Sequence, residues 1–120
     1  MNILNLTNHS ATPEQISIGV QDPIFKERIQ SLLTFDGIPT KQGMKSRAEK
    51  LAWYAKSEGF DYVMIGGAPY FMSTLEQVCA DSGLKVLYAF SNRNVKETVF
   101  PDGRVLKEAV FEHKGFYQVN

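Results

Sequence analysis

The sequence predicts an α/β fold: a mostly parallel sheet flanked by helices, with a C-terminal β-hairpin. Three observations carry this expectation. The apolar run Tyr62-Val63-Met64-Ile65 enters Gly66-Gly67-Ala68-Pro69, then an amphipathic segment, then a second apolar run, Lys85 to Phe90. Strand, helix and strand in that length form a βαβ unit, whose strands run parallel with a right-handed crossover. Upstream, apolar residues recur at helical spacing in two segments, and the last third turns β-rich around Pro101-Asp102-Gly103.

Taken in order, Asn2 to Thr7 reads as a short, partly buried first strand, followed by the polar turn Asn8-His9-Ser10. Thr12-Pro13-Glu14-Gln15 has the marks of a helix start: a Thr cap, Pro in the first turn and Gln at the third position of a capping box. Ile16, Ile18 and Val20 then recur at every second residue, so a helical turn leading into a short extended piece is expected. Asp22-Pro23 opens a helix with Phe25, Ile29, Leu32 and Leu33 on one face, and Asp36-Gly37-Ile38-Pro39 ends it. Thr40 can cap a longer helix whose inner face is Met44, Ala48, Leu51, Ala52 and Ala55. After the glycine turn, Phe71, Leu75, Val78 and Cys79 mark the inner face of the crossover helix, which Gly83 ends. Val95–Phe100 and Arg104–Phe111 are expected to flank the hairpin turn, and Phe116–Val119 to add an edge strand.

Composition narrows the function. A chain of 120 residues with 43% hydrophobic content is long enough for a packed core, and no linker divides it, so one domain over 1–120 is expected. Thirteen basic residues balance 13 acidic ones, which disfavours a binder of duplex nucleic acid, since such proteins carry a basic field. With Cys79 the only cysteine, no internal disulfide or multi-Cys zinc site is available. The chain begins directly in a predicted strand, so no signal peptide is expected. No apolar run approaches the roughly 20 residues of a membrane span. A cytoplasmic protein without membrane contact is the expectation.

The chemistry is expected at the carboxyl ends of the strands, where open parallel sheets bind ligands. Three polar loops follow predicted strands: Thr7-Asn8-His9-Ser10, Gly66-Gly67-Ala68-Pro69 and Ser91-Asn92-Arg93-Asn94. Glycines allow close backbone approach, and the first N–H groups of a helix, with its dipole, favour an oxyanion. The glycine turn matches neither G-x-G-x-x-G nor G-x-x-x-x-G-K-[ST], so it names no cofactor, and none is expected. Arg93 offers a planar fork to phosphate, against the alternative of an exposed arginine beside Glu97. His9 is either a general acid or base, or a turn histidine that caps a neighbouring segment. Thr7, Asn8, Ser10, Ser91 and Asn92 are turn residues that gain interest through convergence. His113 either reaches the same rim or finishes a strand. The set lacks the carboxylate cluster of a divalent metal site.

These residues resemble a family. The strand into Gly66-Gly67, the stretch Val86-Leu87-Tyr88-Ala89-Phe90-Ser91-Asn92-Arg93, the Pro101-Asp102-Gly103 hairpin and Val110-Phe111-Glu112-His113 are similar to small, stand-alone CRISPR-associated proteins. These are of Rossmann type, related to CARF sensor domains and regarded as ring nucleases. Leu6-Thr7-Asn8-His9 before Thr12-Pro13-Glu14-Gln15 is similar too. Ser91-Asn92 stands where that family often has two threonines, and the match is poor between Ile16 and Ser57.

The resemblance implies a single Rossmann-like, CARF-like domain that forms a homodimer and binds a cyclic oligoadenylate across the two-fold axis. It implies metal-independent cleavage by a ribose 2′-hydroxyl, with Arg93 on the scissile phosphate and His9 or His113 assisting proton transfer. Gly66 and Gly67 would offer backbone donors, and Ser91 and Asn92 would orient ribose or phosphate; Thr7, Asn8, Ser10 and Ala68 stand beside them as candidate ligand-binding residues of the rim. Three readings stay open at this point: a phosphodiesterase, a nucleotide-binding sponge or sensor that does not cut, and a small protein with a structural or protein-binding role.

Overall fold

Short runs of β-branched and aliphatic residues, each bounded by a turn or a helix, set the strands. The computed structural model describes the backbone of residues 1–120 and every side chain except those of Arg93 and Phe111. In chain order the elements are β1 (Ile3–Leu6), α1 (Pro13–Ile18), β2 (Val20–Gln21), α2 (Lys26–Leu33), α3 (Lys41–Ser57), β3 (Tyr62–Ile65), α4 (Pro69–Asp81), β4 (Lys85–Val99) and β5 (Val105–Gln118). The protein is therefore a mixed α/β fold with one five-stranded sheet in the order β2-β1-β3-β4-β5. The β2–β1, β1–β3 and β3–β4 pairs are parallel and β4–β5 is antiparallel.

Helix boundaries follow local chemistry. Thr12 caps α1 through a complete capping box, its hydroxyl accepting from the Gln15 N–H at 3.2 Å while the Thr12 N–H donates to the Gln15 side chain at 3.0 Å. The Thr40 hydroxyl accepts from the Gly43 N–H at 2.9 Å and starts α3. At the α2–α3 junction, Arg47 donates to the Thr34 carbonyl at 2.6 Å and the Ser31 carbonyl at 3.1 Å. Its guanidinium also lies 4.4 Å from the Phe35 ring centre, so one side chain closes α2 and fastens it to α3.

The two faces of the sheet are covered unequally. On one face Leu4, Leu6, Val63, Ile65 and Val86 pack against Ile29 and Leu33 of α2, Ala48, Leu51, Ala52 and Ala55 of α3, and Phe71, Leu75 and Cys79 of α4. Among the described residues, the apolar cluster of the other face comprises Ile3, Val20, Met64 and Leu87, edged by Ala11, Tyr62 and Phe116, with no residue of α2, α3 or α4. Small residues at three inner positions of α3 let that helix lie close to the sheet, which explains the depth of the first cluster.

The C-terminal third departs from expectation. Ser91-Asn92-Arg93-Asn94, expected as a loop, are strand residues within β4, and β4 and β5 form one ladder from Leu87↔Gln118 to Val99↔Val105. The separate edge strand expected at Phe116–Val119 is the end of β5. A single register shift interrupts the ladder: Phe90 pairs with Gly115 and Ser91 with His113, leaving Lys114 as the extra residue. Gly115 takes φ +133° at this bulge, a region an L side chain seldom enters. Four consecutive polar residues masked the continuity, although no proline or glycine breaks residues 85–99. Beyond the bulge the ladder leaves the body as an arm. It stretches the molecule to 57 Å and raises the Cα radius of gyration to 17.0 Å, against about 14 Å for a compact chain of this length.

Cys79 lies fully buried in α4, and burial pushes its thiol up to about 12. Protonation of the folded thiol is thereby favoured, so the stability tied to it is complete below an unfolded value of about 8.5 and is lost as pH rises toward 12. A disulfide reagent at pH 8 should modify Cys79 at the rate of unfolding, and modification of the native protein at the rate of a free thiol would contradict its burial.

Candidate functional site

The strand order reverses beside β1. The chain passes from β1 to β2 on one side and then crosses to β3 on the other, so the loops after β1 and β3 diverge over the switch point. A cavity of about 360 Å³ opens there, lined by Thr7, Asn8, His9, Ser10, Thr12, Gln15, Met64, Ile65, Gly66, Gly67, Tyr88 and Ala89. Two of the three expected rim loops thus meet. Their closeness is tight at Gly66, where a Cβ would stand 3.3 Å from Thr7 Cγ2. Gly67 takes φ +149°, which a side chain would strain.

The loop after β1 owes its shape to a residue that sequence reading passed over. Asn5 is 1% exposed, the one amide in an otherwise apolar strand. Its Nδ2 donates to the His9 carbonyl at 2.7 Å and to Asp22 Oδ1 at 2.8 Å, and its Oδ1 accepts from the Thr7 N–H at 3.0 Å and the Thr7 hydroxyl at 2.7 Å. The amide is therefore satisfied on both ends, as a buried polar group must be. Asp22 Oδ1 also accepts from the Ala11 N–H at 3.0 Å. The Lys26 ammonium donates to the Ser10 hydroxyl at 2.8 Å and stands 3.8 Å from Asp22 Oδ2. Lys26 thus brings a cation to the cavity mouth from the first turn of α2. A polar residue inside an apolar strand was the available signal for Asn5, whereas Asp22 and Lys26 become visible only in three dimensions.

This network divides the predicted residues by availability. The Thr7 hydroxyl is committed to Asn5, and Thr12 and Gln15 to the capping box. The exposed side chains of Asn8 and His9 make no hydrogen bond among the described residues, and the Ser10 hydroxyl, which accepts from Lys26, keeps its proton to donate. On the opposite wall, the Tyr88 hydroxyl donates to Glu76 at 2.5 Å. Burial first, then this carboxylate, hold the phenol well above its usual range, so Tyr88 serves as a wall and not as an acid. Among the described residues no carboxylate lines the cavity, and the ion pair of Lys26 with Asp22 stands behind Ser10 at its mouth.

Other predicted residues fall elsewhere. Ala68 is the N-cap of α4 and packs against the larger core cluster. Pro69 has no N–H and the Phe71 N–H returns to the Ala68 carbonyl at 2.9 Å, so the first turn of α4 offers fewer free donors than the sequence implied. Ser91 and Asn92 are exposed on the arm outside the cavity wall, which ends on β4 at Ala89. The backbone of Arg93 pairs with Phe111, and its side chain lies outside the described residues. His113 pairs with Ser91 at the root of the arm, its ring edge-on to Phe116 at 5.0 Å, and both ring nitrogens are buried without a hydrogen-bond partner among the described residues.

A larger cavity of about 670 Å³ lies between α2 and α3, lined by Phe25, Ile29, Leu32, Trp53 and Tyr54 among others. It is built on helix faces, away from the strand ends, and presents no converging backbone donors. Among the described residues, no group of three or more His, Cys, Asp or Glu side chains stands together to hold a metal ion. No helix is long and apolar enough to cross a membrane.

Residues 1–117 match a family described as the Uncharacterized protein MJ1673 family. The chain belongs to that family. Neither a curated protein nor a solved structure matches the chain.

Replacing Asn5 with Ala would leave the Thr7 N–H, the His9 carbonyl and Asp22 short of partners in a part-buried setting. A loss of about 2 kcal/mol in urea unfolding is expected, with the denaturant slope unchanged. A loss below about 0.5 kcal/mol would show that the network does not hold the loop.

Proposed function

We propose that the cavity between the β1 and β3 loops binds a phosphate-bearing nucleotide, and that the protein is a Rossmann-type, CARF-like cytoplasmic protein acting on cyclic oligoadenylate. The observation that carries the anion part of this reading is the composition of the mouth. Glycine backbone from Gly66 and Gly67, the free side chains of Asn8 and His9, and the Ser10 hydroxyl with Lys26 face a space free of carboxylates. The nucleotide class rests on the resemblance of the sequence to small CRISPR-associated ring nucleases.

Cleavage needs little more from such a site than placement. A ribose 2′-hydroxyl attacks the adjacent phosphorus, the P–O bond to the leaving oxygen breaks, and a 2′,3′-cyclic phosphate and a free hydroxyl result. The proton leaves the 2′-hydroxyl and one is delivered to the leaving oxygen, tasks suited to His9 at the rim. Charge on the phosphate is offset by Lys26 and, as the resemblance implies, by Arg93. A binding-only reading has its own support: Tyr88 is engaged by Glu76, leaving His9 the one imidazole among the lining residues.

Incubation with cyclic tri-, tetra- and hexa-adenylate in chelator separates the readings. Linear product is the expected outcome; tight binding of intact ring establishes the sponge or sensor; absence of both overturns the nucleotide proposal. Lys26→Ala and Arg93→Ala should each weaken ligand binding by about 1.5–3 kcal/mol, the range for a lost charge-assisted hydrogen bond, with little change in thermal stability. Unchanged affinity removes the residue from the site. His9→Ala should slow turnover more than it weakens binding, and an effect on melting temperature alone would assign His9 to loop structure.

A further inference from the structure

A second recess opens on the helical side of the same rim. α3 leads back to the start of β3 and α4 leaves its end, so the turn between α2 and α3 meets the first turn of α4 at the carboxyl ends of the strands. There Phe35, Asp36, Ile38 and Pro39 of the turn share a space of about 620 Å³ with Met44 of α3 and Tyr70 of α4. Tyr70 follows Gly67 by three residues, which limits their Cα separation to about 11 Å. The recess and the anion cavity are therefore neighbours across the glycine turn.

The chemistry of the recess is unlike that of the cavity. Its walls are aromatic and aliphatic, with Ile38 99% and Tyr70 54% exposed. The Tyr70 ring is fixed: it meets Phe35 edge-on at 5.4 Å, and Phe35 is held in turn by Phe71 at 5.2 Å and by the Arg47 guanidinium. One edge-on contact leaves a flat face of Tyr70 open to a planar ring. Asp36 is the one carboxylate of the recess, and it makes no hydrogen bond or ion pair among the described residues. A carboxylate repels phosphate and accepts from an N–H donor. A wholly apolar occupant would bury Asp36 without a partner, at a cost. The occupant that suits these walls is a flat apolar ring with an N–H donor on its edge.

We infer that this recess is a nucleobase subsite for an amine-bearing purine, which stacks on Tyr70 and donates its exocyclic amine to Asp36 while the attached phosphate lies in the Gly66–Gly67 cavity. The phosphate end rests on the proposed function, in which the purine is adenine; the base end rests on the recess alone. Gly66 and Gly67 put no side chain between the two ends, so the ribose crosses bare backbone. Base and phosphate are thus sorted by charge: the acid stands on the helical side of the turn, and the cavity on the other side has none among the described residues.

NMR titration of 15N-labelled protein is the test, with circular dichroism to verify that each variant is folded. The probes are AMP, adenosine, ribose 5-phosphate, and purine riboside 5′-monophosphate, which lacks the amine. AMP should bind about tenfold or more tightly than ribose 5-phosphate, the scale of one base–aromatic stack, and should shift the amides of Phe35 to Ile38 and of Tyr70. Tyr70→Ala should abolish that preference, and Tyr70→Phe, which keeps the stacking face, should retain it. Purine riboside 5′-monophosphate should bind more weakly than AMP, and Asp36→Ala should erase the difference. Equal binding of AMP and ribose 5-phosphate, or a preference for AMP indifferent to Tyr70→Ala, overturns the inference and leaves the anion cavity standing. Failure of both AMP and adenosine to bind overturns it too. Adenosine bound in a Tyr70-dependent way, with ribose 5-phosphate not bound, upholds the recess and removes the phosphate reading instead.

Discussion

The buried carboxamide of Asn5 sets the geometry on which the candidate site depends. It occupies a position where an aliphatic side chain would suit the strand, and it answers with four hydrogen bonds to Thr7, His9 and Asp22. An amide is the one neutral side chain that both donates twice and accepts twice, so it can hold a loop carbonyl, a carboxylate, an N–H and a hydroxyl together. Asp22 in turn holds the Ala11 N–H, and Lys26 holds Ser10. The loop after β1 is thereby locked from both sides before any ligand arrives, which lowers the ordering cost of binding.

That lock sits at the place where topology opens the sheet. The parallel pairing of β1 with both β2 and β3 forces the chain to leave in opposite directions, and the gap so created faces the glycine turn. Gly66 lets the second loop approach Thr7 more closely than a side chain would permit. The site's polarity then follows from its builders: backbone, amide and hydroxyl groups line it, and the nearby charges of Asp22 and Lys26 are paired with each other beside the loop.

The unequal cover of the two sheet faces links this site to the arm. Three helices cover one face, while on the other a smaller and equally buried cluster is closed by Ala11, Tyr62 and Phe116 at the root of the arm. The cavity opens on that same side of the sheet, where Met64 and Ala89 line it.

Much of this was legible one residue at a time. The capping box at Thr12 and Gln15, the cap at Thr40, the inner face of α3, the βαβ unit and the turn at Pro101-Asp102-Gly103 are local, because propensity, capping and periodicity act within a few residues. The sequence also placed two polar loops at strand ends, and the fold brings both to one cavity. It misjudged Ser91 to Asn94, since polar side chains in that stretch favour a turn unless a partner strand pairs with them, and β5 does so from 20 or so residues away. It could not show Asn5 holding Asp22, or Lys26 reaching Ser10, because those contacts join segments whose spacing along the chain says nothing of their distance. Local chemistry determined the elements; tertiary structure decided which polar groups are consumed and which stay free, because only folding fixes the neighbours that compete for them.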